Sequence, residues 1–309
     1  YNIELDNENS YLKNSEILSA NAYEVISSLT ENKDLVNVLS GNNALYAGVR
    51  EKTPFYVHAL VVNSYIKGAY RIVKGGGQLA KVLAKKIRSF GGEIYKRSEV
   101  VGAEYNDDKL ISCVVTSTGE KYYADKFISN FHPSETLKLF GEDRFLKAYV
   151  KRINGLENTL SPFIVHLSIK DDVIEYKNYN EYYVRIDDVW DNTKCERGTW
   201  PEEIFVSAPC LHSGQKYTDS LSVMAYAKPE WFEKWRDSTK TIVNNNERDQ
   251  SYYEFKKELE EEIITAVEEI YPNLRDHIEN IYSSSPLTFR DYLNNPDGNF
   301  YGIQKDCNN

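Results

Sequence analysis

No apolar run in this sequence approaches the ~20 residues that a membrane-crossing helix needs. Basic residues are in the minority: the 309 residues hold 37 Lys and Arg against 47 Asp and Glu, for a formal net charge of −10. Binding to a phosphate backbone depends on a cationic surplus, so nucleic acid is not an expected partner. The same deficit removes a purely electrostatic grip on anionic lipid. Cysteine is scarce: Cys113, Cys195, Cys210 and Cys307 are far apart and form no C-x-x-C pair. A zinc site and a disulfide framework are therefore not expected, and the default compartment is a reducing cytoplasm. There is no G-x-S-x-G nucleophile elbow and no His/Asp/Glu cluster at metal-ligand spacing. The first residues, Tyr1-Asn2-Ile3-Glu4-Leu5-Asp6, lack an initiating Met and show no signal-peptide pattern, so the chain reads as a processed or excised piece.

Tyrosine is what the chain has in quantity, 24 Tyr with 12 Phe against a single Met. Tyr combines apolar area with a polar tip, which suits ordinary packing or the wall of a cavity for a long hydrophobic molecule. Residues 1–70 read as mostly helical, with Ser15 as a cap for a helix running through Glu24-Val25-Ile26 and a break at Asn32-Lys33-Asp34. Phe55–Tyr65 is apolar nearly all round, which predicts burial in a core or under a lid. Leu79, Val82, Leu83, Ile87 and Phe90 repeat at helical spacing and stop at Gly91-Gly92. Extended segments follow from Glu93, over Val100–Tyr105, Leu110–Thr116 and Tyr122–Ser129, with turns at Asn106–Lys109 and Ser117–Glu120. Further strands are expected at Phe163–Ile169, Glu181–Ile186, Ile204–Ala208 and Ser220–Ala225. Asp237–Gln250 reads as an exposed connection. The clearest helix spans residues 251–271, opened by a capping box Ser251-Tyr252-Tyr253-Glu254 and carrying Tyr252, Phe255, Leu259, Ile263, Val267 and Ile270 on one face. His58 reads as a core histidine, and His132 as a helix cap or surface residue, with a place near a cofactor as the alternative.

The run Gly75-Gly76-Gly77 before a helix lets backbone approach a ligand closely. It is neither G-x-G-x-x-G nor a P-loop, and alone it is compatible with a simple turn. The ordered set says more: Lys74-Gly75-Gly76-Gly77-Gln78-Leu79, Gly91-Gly92-Glu93-Ile94, Val100, Gly119 and Ala124–Asn130. To these add Leu39-Ser40-Gly41 with Tyr46, Tyr65 with Gly68, Ser285–Tyr292, and Pro296, Gly298, Tyr301 and Gly302. In order and spacing this set resembles the phytoene desaturases, carotenoid isomerases and retinol saturases, within the FAD-dependent amine oxidase superfamily.

The resemblance implies an α+β fold, with a mixed-sheet substrate domain, packed helices and an incomplete FAD-binding section. It divides the chain into a helical substrate-side segment (1–70), a central section of the FAD-binding domain (71–145), a substrate domain (146–285) and a return segment (286–309). It implies FAD as cofactor, with Gly76, Gly77, Val100, Ser129 and Asn130 as its neighbours, and Tyr46, Phe55, Tyr56 and Tyr65 as a substrate wall. The implied activity is hydride transfer between flavin and an apolar polyene, by desaturation, saturation or isomerisation. The implied setting is cytoplasmic, with peripheral membrane contact as an option. The family's G-x-G-x-x-G segment and its last flavin-covering segment have no counterpart here, so this chain alone is expected to hold FAD poorly. No catalytic residue emerges. Two alternatives stay open, a non-catalytic module for an apolar ligand or protein, and an amine-oxidising relative.

Overall fold

The computed structural model describes residues 15–242 and 248–308. The opening hexapeptide and residues 243–247 of the polar stretch before Gln250 lie outside the described residues.

The expected continuous helix near the start is two short ones, α1 (Ser15–Ser19) and α2 (Ala22–Ser27). Asn21 makes the break, because its side chain accepts from Glu24 N at 3.0 Å and caps α2. Asn32 does the same for α3 (Lys33–Ser40), accepting from Asp34 N and Leu35 N. These helices close on Val189 and Trp190, forming a small core with Ala22, Ile26 and Val36. The Trp190 indole is satisfied by Ser40 Oγ at 3.0 Å. Helix α4 (Phe55–Lys67) departs from expectation. Within it His58 alone is fully buried, while Leu60 and Ile66 are exposed. One side meets α1, α2 and Tyr46, and the C-terminal turns from Asn63 to Lys67 are exposed.

The next section is thin. Helix α5 (Gly77–Ser89) buries no residue, and Leu79, Val82, Leu83, Ile87 and Phe90 are all exposed. Gly91, at φ 80°, ends it in the left-handed conformation that glycine favours. Strands β1 (Val100–Tyr105), β2 (Ile111–Thr116) and β3 (Lys121–Tyr123) form an antiparallel meander. Asn106 Oδ1 accepts from Leu110 N at 2.9 Å and sets the first turn. Residues 93–98 and 124–130, expected to be extended strands, pair with nothing. A strand needs a neighbour for its backbone groups, and none of the described residues supplies one. Helices α6 (Pro133–Phe140) and α7 (Lys147–Asn154) follow. His132 caps α6, its Nδ1 accepting from Ser134 N, and Tyr105 donates to Phe140 O at 2.6 Å to tie β1 down.

The main core lies beyond. Strands β4 (Ser161–Ile169), β6 (Glu181–Val184), β7 (Glu203–Ser207), β9 (Ser220–Ala227) and β10 (Ile278–Ser284) form one sheet in the order β10-β4-β9-β7-β6; β5 (Ile174–Glu175) and β8 (Tyr217–Thr218) pair separately. Every neighbouring pair is antiparallel, so the sheet expected to be mixed is antiparallel throughout. Helix α8 (Gln250–Glu268) packs on one face, with Leu259, Ile263 and Val267 against Phe163, Val165, Val206 and Val223. Burying each such side chain contributes about 1.5–3 kcal/mol. Its cap is Asp249, accepting from Tyr252 N, and not the expected Ser251. Helix α9 (Pro286–Leu293) opens with a capping box between Ser285 and Thr288. The tail then returns to the helical segment, where Cys307 N donates to Lys52 O at 2.7 Å. The fold is α+β. Among the described residues no helix is long and apolar enough to cross a membrane.

Candidate functional site

Strand alternation divides the large sheet into two unlike faces. In β4 and β9, Phe163, Val165 and Leu167 and Leu221, Val223 and Ala225 turn to α8 and are buried. Ile164, His166, Met224 and Tyr226 turn the other way. Cross-strand pairing lines up Ser284, Ile164, Met224, Phe205 and Tyr182 in one row on that second face. Beside this row His166 Nδ1 pairs with Ser222 Oγ at 2.9 Å. Tyr183 confirms the assignment from the other side, since its hydroxyl donates to Glu269 beyond the end of α8 at 2.8 Å.

At one end of this second face sits a buried carboxyl, Glu203. Its Oε2 accepts from Asn192 Nδ2, which also donates to Asn43 Oδ1 at 2.7 Å. Asn43 in turn donates to Val189 O at 3.1 Å, so the chain of amides is anchored to backbone. Glu203 Oε1 and Asn192 Oδ1 are buried without a hydrogen bond among the described residues. Burial pushes the Glu203 carboxyl up to about 7, with the Asn192 bond opposing in part. Tyr46, Tyr226 and Tyr301 surround it electrically. Burial is the main reason each phenol is held in its protonated form, and the nearby Glu203 charge adds to it. Tyr46 OH pairs with His58 Nδ1 at 2.9 Å, and burial lowers the His58 pKa, which keeps the ring neutral. Tyr226 donates to Ala44 O.

Tyr65 and Tyr182 connect this cluster to a cavity of about 330 Å³ where α4 ends. Burial, followed by the Tyr65 hydroxyl beside it, raises the Tyr182 pKa.

The structure places the residues singled out in the sequence as follows. Gly76 caps α5 and Gly77 begins it, and a Cβ at either would meet no atom within 4 Å. Val100 lines a cleft of about 630 Å³ together with Phe131, Leu139 and Tyr292. Ser129 Oγ is bonded to Thr136 Oγ1 at 2.8 Å, and Asn130 is exposed. Tyr46 and Tyr65 both belong to the surroundings of Glu203 and Tyr301. Phe55 packs on the Trp190 core and reaches the cluster only by stacking on His58 at 6.1 Å. Tyr56 is half-buried on α4. Sequence reasoning missed Glu203, Asn192, Arg71, Tyr182 and Tyr226, and took Tyr301 only as a motif residue. Alternation along Ser220–Ala227 was the available signal, since it marks a two-faced strand whose second face carries Met224 and Tyr226.

No family model matches the sequence. The all-trans-retinol 13,14-reductase of Danio rerio is 29% identical over 308 aligned positions, covering 93% of this chain and 50% of that protein. The all-trans-retinol 13,14-reductase of Rattus norvegicus is 26% identical over 302 positions, covering 92% and 49%. Along most of its length the chain is similar in sequence to these retinol reductases. It spans about half the length of the curated retinol reductases it matches. A crystal structure of a Pyrococcus furiosus protein superposes with a TM-score of 0.54 at 20% identity, covering 93% of this chain and 64% of that one. That likeness speaks to the fold, and the retinol saturase resemblance to the sequence.

Proposed function

We propose that this chain is the substrate-side and central part of a flavin-dependent oxidoreductase that transfers hydride to or from an apolar polyene of retinoid type. The observation that carries the reading is similarity to named retinol reductases along 93% of the chain. The structure adds support. A Cβ at Gly75, Gly76 or Gly77 would meet nothing within 4 Å, so the start of α5 is unobstructed, as close approach of a phosphate to a helix N-terminus requires. Gly76 and Gly77 would hold the cofactor from one side, with Val100 on the wall of the neighbouring cleft. The bare stripe of α5 and the unpaired segments 93–98 and 124–130 are surfaces that the rest of a cofactor-binding sheet would cover.

When bound, flavin supplies the hydride chemistry. The chain's own residues bind and exclude water: Ile164, Met224, Phe205, Tyr182 and Tyr65 form an apolar wall with few polar atoms. Saturating a carbon–carbon double bond requires a proton as well as a hydride. Glu203, with Oε2 engaged by Asn192 and Oε1 free, holds that proton near neutral pH.

The test uses the protein at its full natural length. It should be yellow, with flavin absorbance near one equivalent per chain. After anaerobic reduction it should convert all-trans-retinol to a product two mass units heavier. Folded but colourless protein would sink the proposal and favour a binding module.

A further inference from the structure

Arg71 follows α4 by four residues and sits in the wall of the 330 Å³ cavity. Its Nη2 donates to Asn180 Oδ1 at 2.7 Å, and its guanidinium lies 5.9 Å from the centre of the Tyr176 ring. Its Nη1 is buried and has no hydrogen-bond partner among the described residues. The chain does not lack acids to pair with it, since Asp and Glu number 47. A buried cationic donor left open is costly, and native structures seldom tolerate one without a use. The buried hydroxyl of Tyr182 lies in the same wall, beside the Tyr65 hydroxyl. Around the two stand Tyr65, Tyr70 and Tyr179, which offer apolar area and no negative charge.

One open guanidinium donor beside a phenol pair, in a cavity with no acidic residue in its wall, is complementary to an anionic group. A guanidinium fork presents its N–H groups to the two oxygens of a carboxylate, and a phenol supplies a further donor. We propose that this cavity binds the carboxylate end of an apolar chain, with Arg71 Nη1 and the Tyr182 hydroxyl as its donors. The proposal rests on reading this face as the substrate side. It departs from the matched relatives, which are named for an alcohol. The acid, and not the alcohol, is the substrate end this chain selects.

The experiment titrates parinaric acid, a fluorescent polyene acid, and its methyl ester into the full-length protein. Roughly tenfold tighter binding of the acid is expected, as for a charge-assisted pair. Arg71→Gln should bring acid and ester within about threefold of each other while leaving ester affinity in place. Arg71→Lys should restore part of the preference, since it returns the charge without the fork. Tyr182→Phe should weaken acid binding about threefold. These two variants carry the test if Arg71→Gln fails to fold. Equal binding of acid and ester by the unaltered protein would overturn the proposal, as would acid binding indifferent to Arg71→Gln. Inorganic phosphate or acetate displacing the acid at equal affinity would also overturn it, by revealing a free-anion site. The two readings fail separately. Colourless protein that prefers the acid would refute the flavoenzyme alone, and flavin-loaded protein blind to the carboxylate would refute this site alone.

Discussion

Helices α5 and α8 carry the same kind of apolar stripe and meet opposite fates. In α8, Tyr252, Leu259, Ile263, Ile264, Ala266 and Val267 are buried against a five-stranded sheet. In α5, no residue is buried, although Leu79, Val82, Leu83 and Ile87 recur at the same spacing. Periodicity identifies which face of a helix is apolar; it does not identify what covers that face. A contiguous exposed stripe on a chain of net charge −10 marks an interface more readily than a solvated face. Residues 93–98, just after α5, and residues 124–130 agree, because they have strand-like sequences and no strand partners among the described residues.

The sharpest test of this contrast is a pair of substitutions. Phe163→Ala empties a fully buried position facing α8 and should cost about 3–5 kcal/mol of stability. Leu83→Ser on the exposed stripe of α5 should cost under about 1 kcal/mol. Urea unfolding of the two variants beside the parent chain measures both. Comparable losses would mean that α5 is packed after all, and the contrast would fail. In longer protein that binds flavin, the Leu83→Ser cost should rise, because the stripe would then be covered.

The same contrast explains what the sequence disclosed. Helix α8 was legible because its apolar residues, its polar face and its sheet lie within one continuous stretch. The break at Asn32 and the glycine stop at Gly91 were legible because each is a local backbone choice. Helix α4 misled: its apolar residues nearly encircle it, yet Leu60 and Ile66 face outward. Glu203 was invisible for a different reason. Its burial comes from Asn43, Asn192, Tyr226 and Tyr301, which are remote in sequence, and no local pattern announces such a gathering. Tyr46 and Tyr65, named from the family resemblance as part of a substrate wall, stand beside Glu203 and Tyr301 respectively.

The next largest effect concerns pH. Glu203 has an ordinary value of 4.5 and is pushed up to about 7 in the fold. Below pH 4.5 the carboxyl is neutral whether the chain is folded or not, and its burial costs no charge. As pH rises toward 7 the unfolded chain loses its proton first, so the folded state loses roughly 3 kcal/mol across this window and no more above it. Glu203→Gln imitates the neutral acid and removes that slope. Melting curves from pH 5 to pH 8 should show the variant gaining on the parent as pH rises. Parallel curves would mean that Glu203 is charged in the fold, and it could not then hold the proton assigned to it.

The smallest effect bears on the glycine loop, where stability and binding should separate. A Cβ added at Gly76 or Gly77 would meet nothing within 4 Å, and neither glycine has a left-handed φ. Alanine there should therefore be neutral, or at Gly77 stabilising by up to about 1 kcal/mol, because glycine is a poor helix residue. If the loop has no ligand, that is the whole result. If a dinucleotide lies against its backbone, the added methyl groups obstruct it, and Gly76→Ala with Gly77→Ala should weaken flavin retention roughly tenfold, about 1.4 kcal/mol, with a melting temperature in the apoprotein that is unchanged or raised. Equilibrium dialysis of flavin against the full-length protein and its double variant measures the difference. Undiminished retention would remove Gly76 and Gly77 from the cofactor site and leave α5 as an interface for something other than a nucleotide-binding half.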